Sequence, residues 1–142
     1  MRPQNQFVLG GVSGTNASQL TASFDTKGFG FARIMAISVG AANTGLSTTN
    51  ANNILEEGDT TSSYSTITAA SAGTGFTPTS ATATTSLARL IYEVDLRGRK
   101  RFLKPTFTPA ATGHWMLCAE LALPADGLTS AADNGSAFIS QV

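Results

Sequence analysis

The sequence has few charged residues. They make up 13% of its 142 residues, about half the share found in an ordinary soluble domain. Nine basic residues balance nine acidic ones, so the formal net charge is zero and no overall field attracts nucleic acid or a membrane surface. The sequence therefore favours partners that recognise a local feature of the surface rather than its total charge.

Cysteine and histidine each occur once, as Cys118 and His114. A single cysteine cannot form an internal disulfide, which excludes a disulfide-stabilised secreted scaffold. In a strand, a spacing of four residues places two side chains about 13 Å apart, too far for direct proton transfer. We therefore predict that Cys118 is a small buried side chain and that the chain is not an enzyme. We also expect no metal site and no cofactor.

Long hydrophobic runs are absent as well. No stretch approaches the roughly 18 apolar residues of a membrane helix, and the N-terminal MRPQNQFVLGGVSG lacks the apolar centre of a signal peptide. Gly10, Gly11 and Gly14 are not followed by the Lys-Ser/Thr of a phosphate-binding loop, which favours a flexible arm. These features predict a soluble intracellular product that binds neither a membrane nor a small-molecule substrate.

Strand patterns are frequent, whereas helical periodicity is poor. The run FARIMAISV at 31–39 is mostly apolar, as expected of a strand covered on both faces. Residues 85–96 and 115–123 alternate between apolar and polar, which predicts half-buried strands. Their predicted core residues are Ala88, Leu90, Tyr92, Val94 and Leu96, followed by Trp115, Leu117, Ala119, Leu121 and Leu123. On the opposite face, Arg89, Glu93 and Asp95 are predicted to form a surface ladder of ion pairs.

Seven or eight such strands, separated by turns, predict an all-β protein with a single antiparallel β-sandwich or jelly roll. We assign residues 18–124 to this domain. Residues 1–17 and 125–142 are polar and weakly periodic, so we predict extended N- and C-terminal arms.

One short segment, residues 97–104, contains more than half of the basic residues. We call it the basic segment, and its members are Arg97, Arg99, Lys100, Arg101 and Lys104. Residues 95–101 have the pattern of a strand end, a tight turn with Gly98 at positive φ, and the beginning of a return strand. Nucleic-acid binding would require exposed aromatics among these residues, but the alternation places Phe102 in the core. We interpret the five basic residues as a protein-binding site for carboxylates, with a solvated hairpin tip as the alternative.

Three stretches resemble one family. SFDTKGFGFARIMAISV at 23–39, ILEEGDTTSSYSTI at 54–67 and YEVDLRGRKRFLKPTFTPAATG at 92–113 are similar to small jelly-roll cement or decoration proteins of tailed-bacteriophage heads. The similarity spans most of residues 19–113.

The resemblance implies a non-enzymatic virion protein on the outer capsid surface, made in the host cytoplasm. Such a protein would bind the major capsid protein as a homotrimer, bridge capsomers and stabilise the shell, without touching nucleic acid directly. The alternative is another virion sandwich module, such as a head fibre base, a tail part or a receptor- or carbohydrate-binding component. Carbohydrate binding needs exposed aromatics, and only Trp115, Tyr64 and Tyr92 are candidates, of which Trp115 and Tyr92 are predicted to lie in the core.

Overall fold

A computed structural model describes residues 5–13, 19–38, 53–71, 75, 89–108, 115–122 and 138–141. These ranges contain ten strands and no helix. The strands are β1 Asn5–Ser13, β2 Leu20–Thr21, β3 Phe24–Asp25, β4 Phe31–Ser38, β5 Ile54–Thr60, β6 Ser63–Ser71, β7 Arg89–Asp95, β8 Phe102–Phe107, β9 Trp115–Ala122 and β10 Phe138–Gln141. No helix in the described part of the chain is therefore able to cross a membrane.

The strands form two sheets packed face to face, which confirms the predicted β-sandwich. Sheet A has the order β1-β9-β4-β7-β10, and sheet B has the order β2-β8-β5-β6 with β3 also pairing with β8. Neighbouring strands are antiparallel except for β10, which runs parallel to β7. Strand β4 lies at the centre of sheet A between β7 and β9. The predicted cover on both of its faces is wrong, because only Ala32, Ile34 and Ala36 are fully buried and the side chains between them are half-buried on the outer face.

The core lies between the two sheets and is built from alternating residues. The predicted core faces of β7 and β9 are confirmed, because Leu90, Tyr92, Val94, Leu96, Trp115, Leu117, Ala119 and Leu121 all belong to the buried cluster. The prediction that β7 is only half-buried is wrong, because Ile91 and Glu93 on its other face are buried as well. Ala88 and Leu123 lie outside the described residues. The rings of Tyr92 from sheet A and Phe107 from sheet B stack with centroids 5.5 Å apart, so aromatic packing joins the sheets at this point.

Part of each predicted arm takes part in sheet A. Asn5–Ser13 pairs with β9 along its whole length, and Phe138–Gln141 pairs with β7. Gly10 lies at a bulge in β1, where a Cβ atom would come within 2.8 Å of Phe24 and 2.9 Å of Ala22. The role of Gly10 is thus close packing on the core rather than the flexibility suggested by the sequence.

The predicted hairpin after β7 is wrong in its pairing. The turn does contain Gly98 at φ 78°, but β7 belongs to sheet A and β8 to sheet B. The turn therefore carries the chain from one sheet to the other at the end of the sandwich. Local sequence specifies a sharp reversal but not which sheet receives the next strand, because strand pairing depends on distant partners.

Candidate functional site: a basic tip at one end of the sandwich

Two turns meet at the end of the sandwich where the basic segment lies. The turn between β3 and β4 contains Gly28 at φ 91°, and the turn between β7 and β8 contains Gly98. The backbone N–H and the hydroxyl of Thr26 both donate to the carbonyl of Arg101, at 2.9 and 2.6 Å. The N–H of Leu96 donates to the carbonyl of Gly30 at 3.0 Å. We call this surface, residues 25–30 and 95–101, the basic tip.

Two arginines of the basic tip are held by carboxylates of the same chain. Arg101 donates from Nε and Nη2 to the two oxygens of Asp25, at 2.9 and 2.6 Å. Arg97 donates from Nε to both oxygens of Asp95, at 3.0 and 2.9 Å. These side-chain hydrogen bonds lower the pKa of Asp25 and lower the pKa of Asp95 to about 2. The two arginines are therefore fixed in direction by paired contacts.

The other tip cations make weaker contacts. Arg99 Nη1 lies 3.8 Å from Glu57 Oε1, and the backbone N–H of Lys100 donates to Glu57 Oε2 at 3.3 Å. The ammonium of Lys100 reaches the hydroxyl of Ser65 at 3.4 Å. Lys27 is exposed in the neighbouring turn. Lys27, Arg99 and Lys100 are thus the cations of the basic tip best able to bind a further group.

Lys104 belongs to the basic segment but lies away from the basic tip. Its ammonium is 3.1 Å from Glu56 Oε2, the carboxylate opposite it on β5, and 5.0 Å from the centre of the Tyr64 ring. These two contacts occupy Lys104 on the outer face of sheet B. The structure therefore does not bring Lys104 together with the four other residues of the basic segment.

The predicted position of Phe102 is wrong. Its ring is half-buried on the outer face of sheet B, while Leu103 beside it is fully buried in the core. The guanidinium of Arg101 lies 4.8 Å from the centre of the Phe102 ring, which adds a cation–π contact to the Arg101–Asp25 pair. The turn places Leu103 opposite Phe24 of β3, and this long-range register decides which residue faces the core.

The basic tip surrounds an open depression of about 400 Å³, lined by both turns. The basic tip and the adjoining Glu57 of β5 together carry five basic residues and three carboxylates, so two positive charges are in excess. They are Lys27, Arg97, Arg99, Lys100 and Arg101 against Asp25, Glu57 and Asp95. An open, locally positive depression suits a carboxylate or another small anionic group of a macromolecule.

Sequence reasoning missed Lys27, Asp25 and Glu57 as parts of this site. Asp25 is 76 positions from Arg101 along the chain, and no periodicity links them. The one available signal was the Asp25-Thr26-Lys27-Gly28 sequence, which is typical of a tight turn. Such a signal predicts a turn but does not reveal that the turn lies against the basic segment.

The predicted ladder of Arg89, Glu93 and Asp95 is wrong in its partners. Arg33 of β4 lies between two carboxylates, donating to Glu93 Oε1 at 2.8 Å and approaching Glu120 Oε2 at 3.6 Å. Glu93 is completely buried, whereas Asp95 binds Arg97 in the turn. The ion pairs therefore run across strands β7, β4 and β9 of sheet A, and they are not confined to one strand.

Cys118 is buried in β9, as predicted, and its thiol approaches the carbonyl of Met35 at 3.8 Å. Burial raises the pKa of the Cys118 thiol to about 11, which keeps it protonated at neutral pH and unsuited to nucleophilic attack. His114 lies outside the described residues. Within the described ranges, no three His, Cys, Asp or Glu side chains gather in a group that could hold a metal ion.

A second depression, of about 300 Å³, lies beside Tyr64 on sheet B. Hydroxyl side chains dominate its lining, and Tyr64 Oη lies 2.6 Å from Ser23 Oγ. Trp115 and Tyr92 are both fully buried, as predicted. Tyr64 is consequently the one of the three candidate aromatics whose ring is accessible to a ligand.

Comparisons with models of protein families, with curated proteins and with solved structures found no match.

Proposed function

We propose that this chain is a cement or decoration protein of a tailed-bacteriophage head. It would bind the outer surface of the shell through the major capsid protein, bridge capsomers as a homotrimer, and perform no catalysis. The jelly-roll connectivity typical of that family is part of the same proposal. The proposal starts from the resemblance of three sequence stretches, and its structural support comes from where those stretches lie.

All three stretches contribute to one end of the sandwich. The first, 23–39, supplies Asp25 and Lys27, and the second, 54–67, supplies Glu57. The third, 92–113, supplies the turn that carries Arg99 and Lys100. Segments far apart in the sequence therefore build a single charged surface, and this convergence is the observation that carries the proposal.

The basic tip suits docking because its shape is fixed before a partner arrives. Backbone hydrogen bonds join its two turns, and Arg97 and Arg101 are already bound to Asp95 and Asp25. A preorganised surface loses little conformational entropy on binding. In this arrangement the two arginines shape the basic tip, while Lys27, Arg99 and Lys100 bind acidic groups of the capsid.

Each contact of this kind is modest, because exposed ion pairs contribute little individually. A shell offers many equivalent positions, and a homotrimer would engage several at once. Multivalent attachment then gives strong retention without a large interface per copy. It also predicts binding that weakens as salt concentration rises, since exposed charges are screened.

The first test counts copies of the chain against the major head protein in purified filled particles. Near-equimolar copies support a cement layer over the whole shell. A handful of copies per particle would place the protein at a vertex, a fibre or the tail. Its absence from particles would overturn the proposal.

The second test compares two variants with the same change in net charge. Lys27→Gln with Lys100→Gln removes two positive charges from the basic tip, and Gln19→Glu with Thr68→Glu adds two negative charges at exposed positions elsewhere. We expect the first variant to bind heads lacking this protein at least tenfold more weakly in co-sedimentation. The second should bind as wild type does. Equal binding by both variants would contradict docking through the basic tip.

One observation favours a second candidate, a carbohydrate-binding virion module. The depression at Tyr64 combines an accessible aromatic ring with hydroxyl groups of Thr21, Ser23, Thr61 and Ser62, a combination suited to a sugar. A glycan array would test it. Binding that Tyr64→Ala removes and Ser65→Ala leaves unchanged would favour this function over attachment to heads.

A further inference from the structure

Strand β1 forms one edge of sheet A. It pairs with β9 on one side, and its other side has no strand partner among the described residues. An edge strand presents a row of backbone N–H and C=O groups that another strand can pair with. The regular part of this edge is Asn5–Leu9, which precedes the bulge at Gly10.

Apart from the bulge at Gly10, which lies beyond Asn5–Leu9, this edge lacks the features that normally protect one. Asn5–Ser13 contains no charged residue and no proline. Phe7 and Leu9 are large hydrophobic residues, and they are 62% and 58% exposed. Because they are two positions apart, both lie on the outer face of sheet A.

The β6 edge of sheet B is different. Strand β6 is also an edge strand, but its pairing with β5 is interrupted by two register shifts. Its exposed positions are mainly serine and threonine, such as Thr66 and Thr68. Irregular pairing and polar side chains both oppose the addition of another strand. Of these two long edge strands, β1 is the one suited to an intermolecular contact; the remaining edges, at β10 and at β2 with β3, are short.

We propose that Asn5–Leu9 of β1 pairs antiparallel with the same segment of a second copy of this chain, joining two copies of sheet A into one continuous sheet. A two-fold axis at Phe7 places Phe7 of one copy opposite Phe7 of the other, with Leu9 of each copy diagonally beside that pair on the same face. The pairing satisfies backbone groups of both edges and covers both apolar side chains.

Charge explains why a second copy fits this edge. Groups that lie on a two-fold axis face their own copies, so a charged residue there would repel itself, whereas a neutral strand causes no such repulsion. Strand β1 is neutral, and the nearest acidic residue, Glu120 opposite Phe7, lies 3.6 Å from Arg33 of its own chain. The zero net charge of the whole chain adds no long-range repulsion between copies.

This contact is independent of the basic tip, so it and the proposed attachment to heads can fail separately. Sedimentation velocity over a range of protein concentrations is the direct test. We expect the wild-type mass to be an even multiple of 14.6 kDa, which for two joined homotrimers is a hexamer, and we expect Phe7→Lys with Leu9→Lys to halve it. The matched control, Thr66→Lys with Thr68→Lys on the edge of sheet B, should keep the wild-type mass.

A wild-type protein that stays monomeric, or a Phe7→Lys, Leu9→Lys variant that keeps the wild-type mass, would overturn the inference. Circular dichroism and urea unfolding check that the variants are folded. If the double variant is not folded, amide hydrogen exchange of the wild type replaces it. Protection of residues 5–9 should then rise with protein concentration, while that of residues 63–71 stays constant, and constant protection at 5–9 also overturns the inference.

Discussion

Arg101 and Asp25 form a bidentate ion pair across 76 positions of sequence, with donor–acceptor distances of 2.9 and 2.6 Å. The pair joins the start of β8 to the end of β3 and lies where the backbone of Thr26 also binds Arg101. One side chain of the basic segment therefore stabilises the arrangement of the two turns. Arg97 and Arg101 therefore shape the basic tip, which leaves Lys27, Arg99 and Lys100 for the proposed binding role.

Replacing Asp25 by Asn removes the charge while preserving an oxygen that accepts from the N–H of Lys27 at 3.1 Å. At pH 7 we expect a loss of less than about 1 kcal/mol in the free energy of unfolding, because Asp25 and Arg101 are 43% and 47% exposed. The Asp25–Arg101 pair lowers the folded-state pKa below the ordinary 3.8. Its contribution is therefore complete above pH 3.8 and disappears as pH falls through the folded pKa.

Urea unfolding of wild type and Asp25→Asn at several pH values tests this prediction. The difference between their free energies of unfolding should shrink as the pH falls below 3.8. At pH 7, high salt should also reduce this difference. A difference that is the same at pH 7 and well below pH 3.8 would show that the charge of Asp25 contributes nothing.

Gly98 is the position where the backbone of the basic tip depends most clearly on one residue. Its φ is 78°, yet a Cβ atom there would have no neighbour within 4 Å. Gly98→Ala should therefore cost about 1–2 kcal/mol through backbone strain alone. Gly98→Asn should cost less, since asparagine tolerates this region better. Thermal unfolding of both variants checks the order, and equal losses would point to a different cause.

Glu93 offers a test of the buried ion pair in sheet A. Glu93→Gln keeps the volume of the side chain but removes the charge opposite Arg33, which itself is 25% exposed. We expect a loss of about 1–3 kcal/mol, less than for a fully buried pair because Arg33 reaches solvent and Glu120. The matched variant Glu120→Gln alters a carboxylate that is 33% exposed and 3.6 Å away, so it should cost less. Chemical denaturation that reverses this order would contradict the role given to Glu93.

Cys118 should react with thiol reagents only after unfolding. It is completely buried, and burial raises its thiol pKa to about 11, so both access and thiolate are lacking at about pH 8. The reaction of Cys118 with an aromatic disulfide reagent, followed by the coloured thiol that it releases, should be slow in buffer and stoichiometric in strong denaturant. Rapid labelling of the native protein would mean that β9 opens readily.

The sequence by itself determined the fold class and the core faces of β7 and β9. Alternation of apolar side chains is a local property of each strand, and Leu90, Tyr92 and Val94 face the core as that alternation requires. The positive φ of Gly98 was also predictable, because a sharp turn among bulky residues favours glycine.

Only the tertiary structure decided which groups meet. It turned the expected hairpin into a crossing between sheets, placed Phe102 outside the core, and buried Glu93 beside Arg33. It also brought Asp25 and Glu57 to the basic segment. Such contacts depend on strand order and register, which are set by the packing of the whole sandwich, and no short segment of the sequence encodes them.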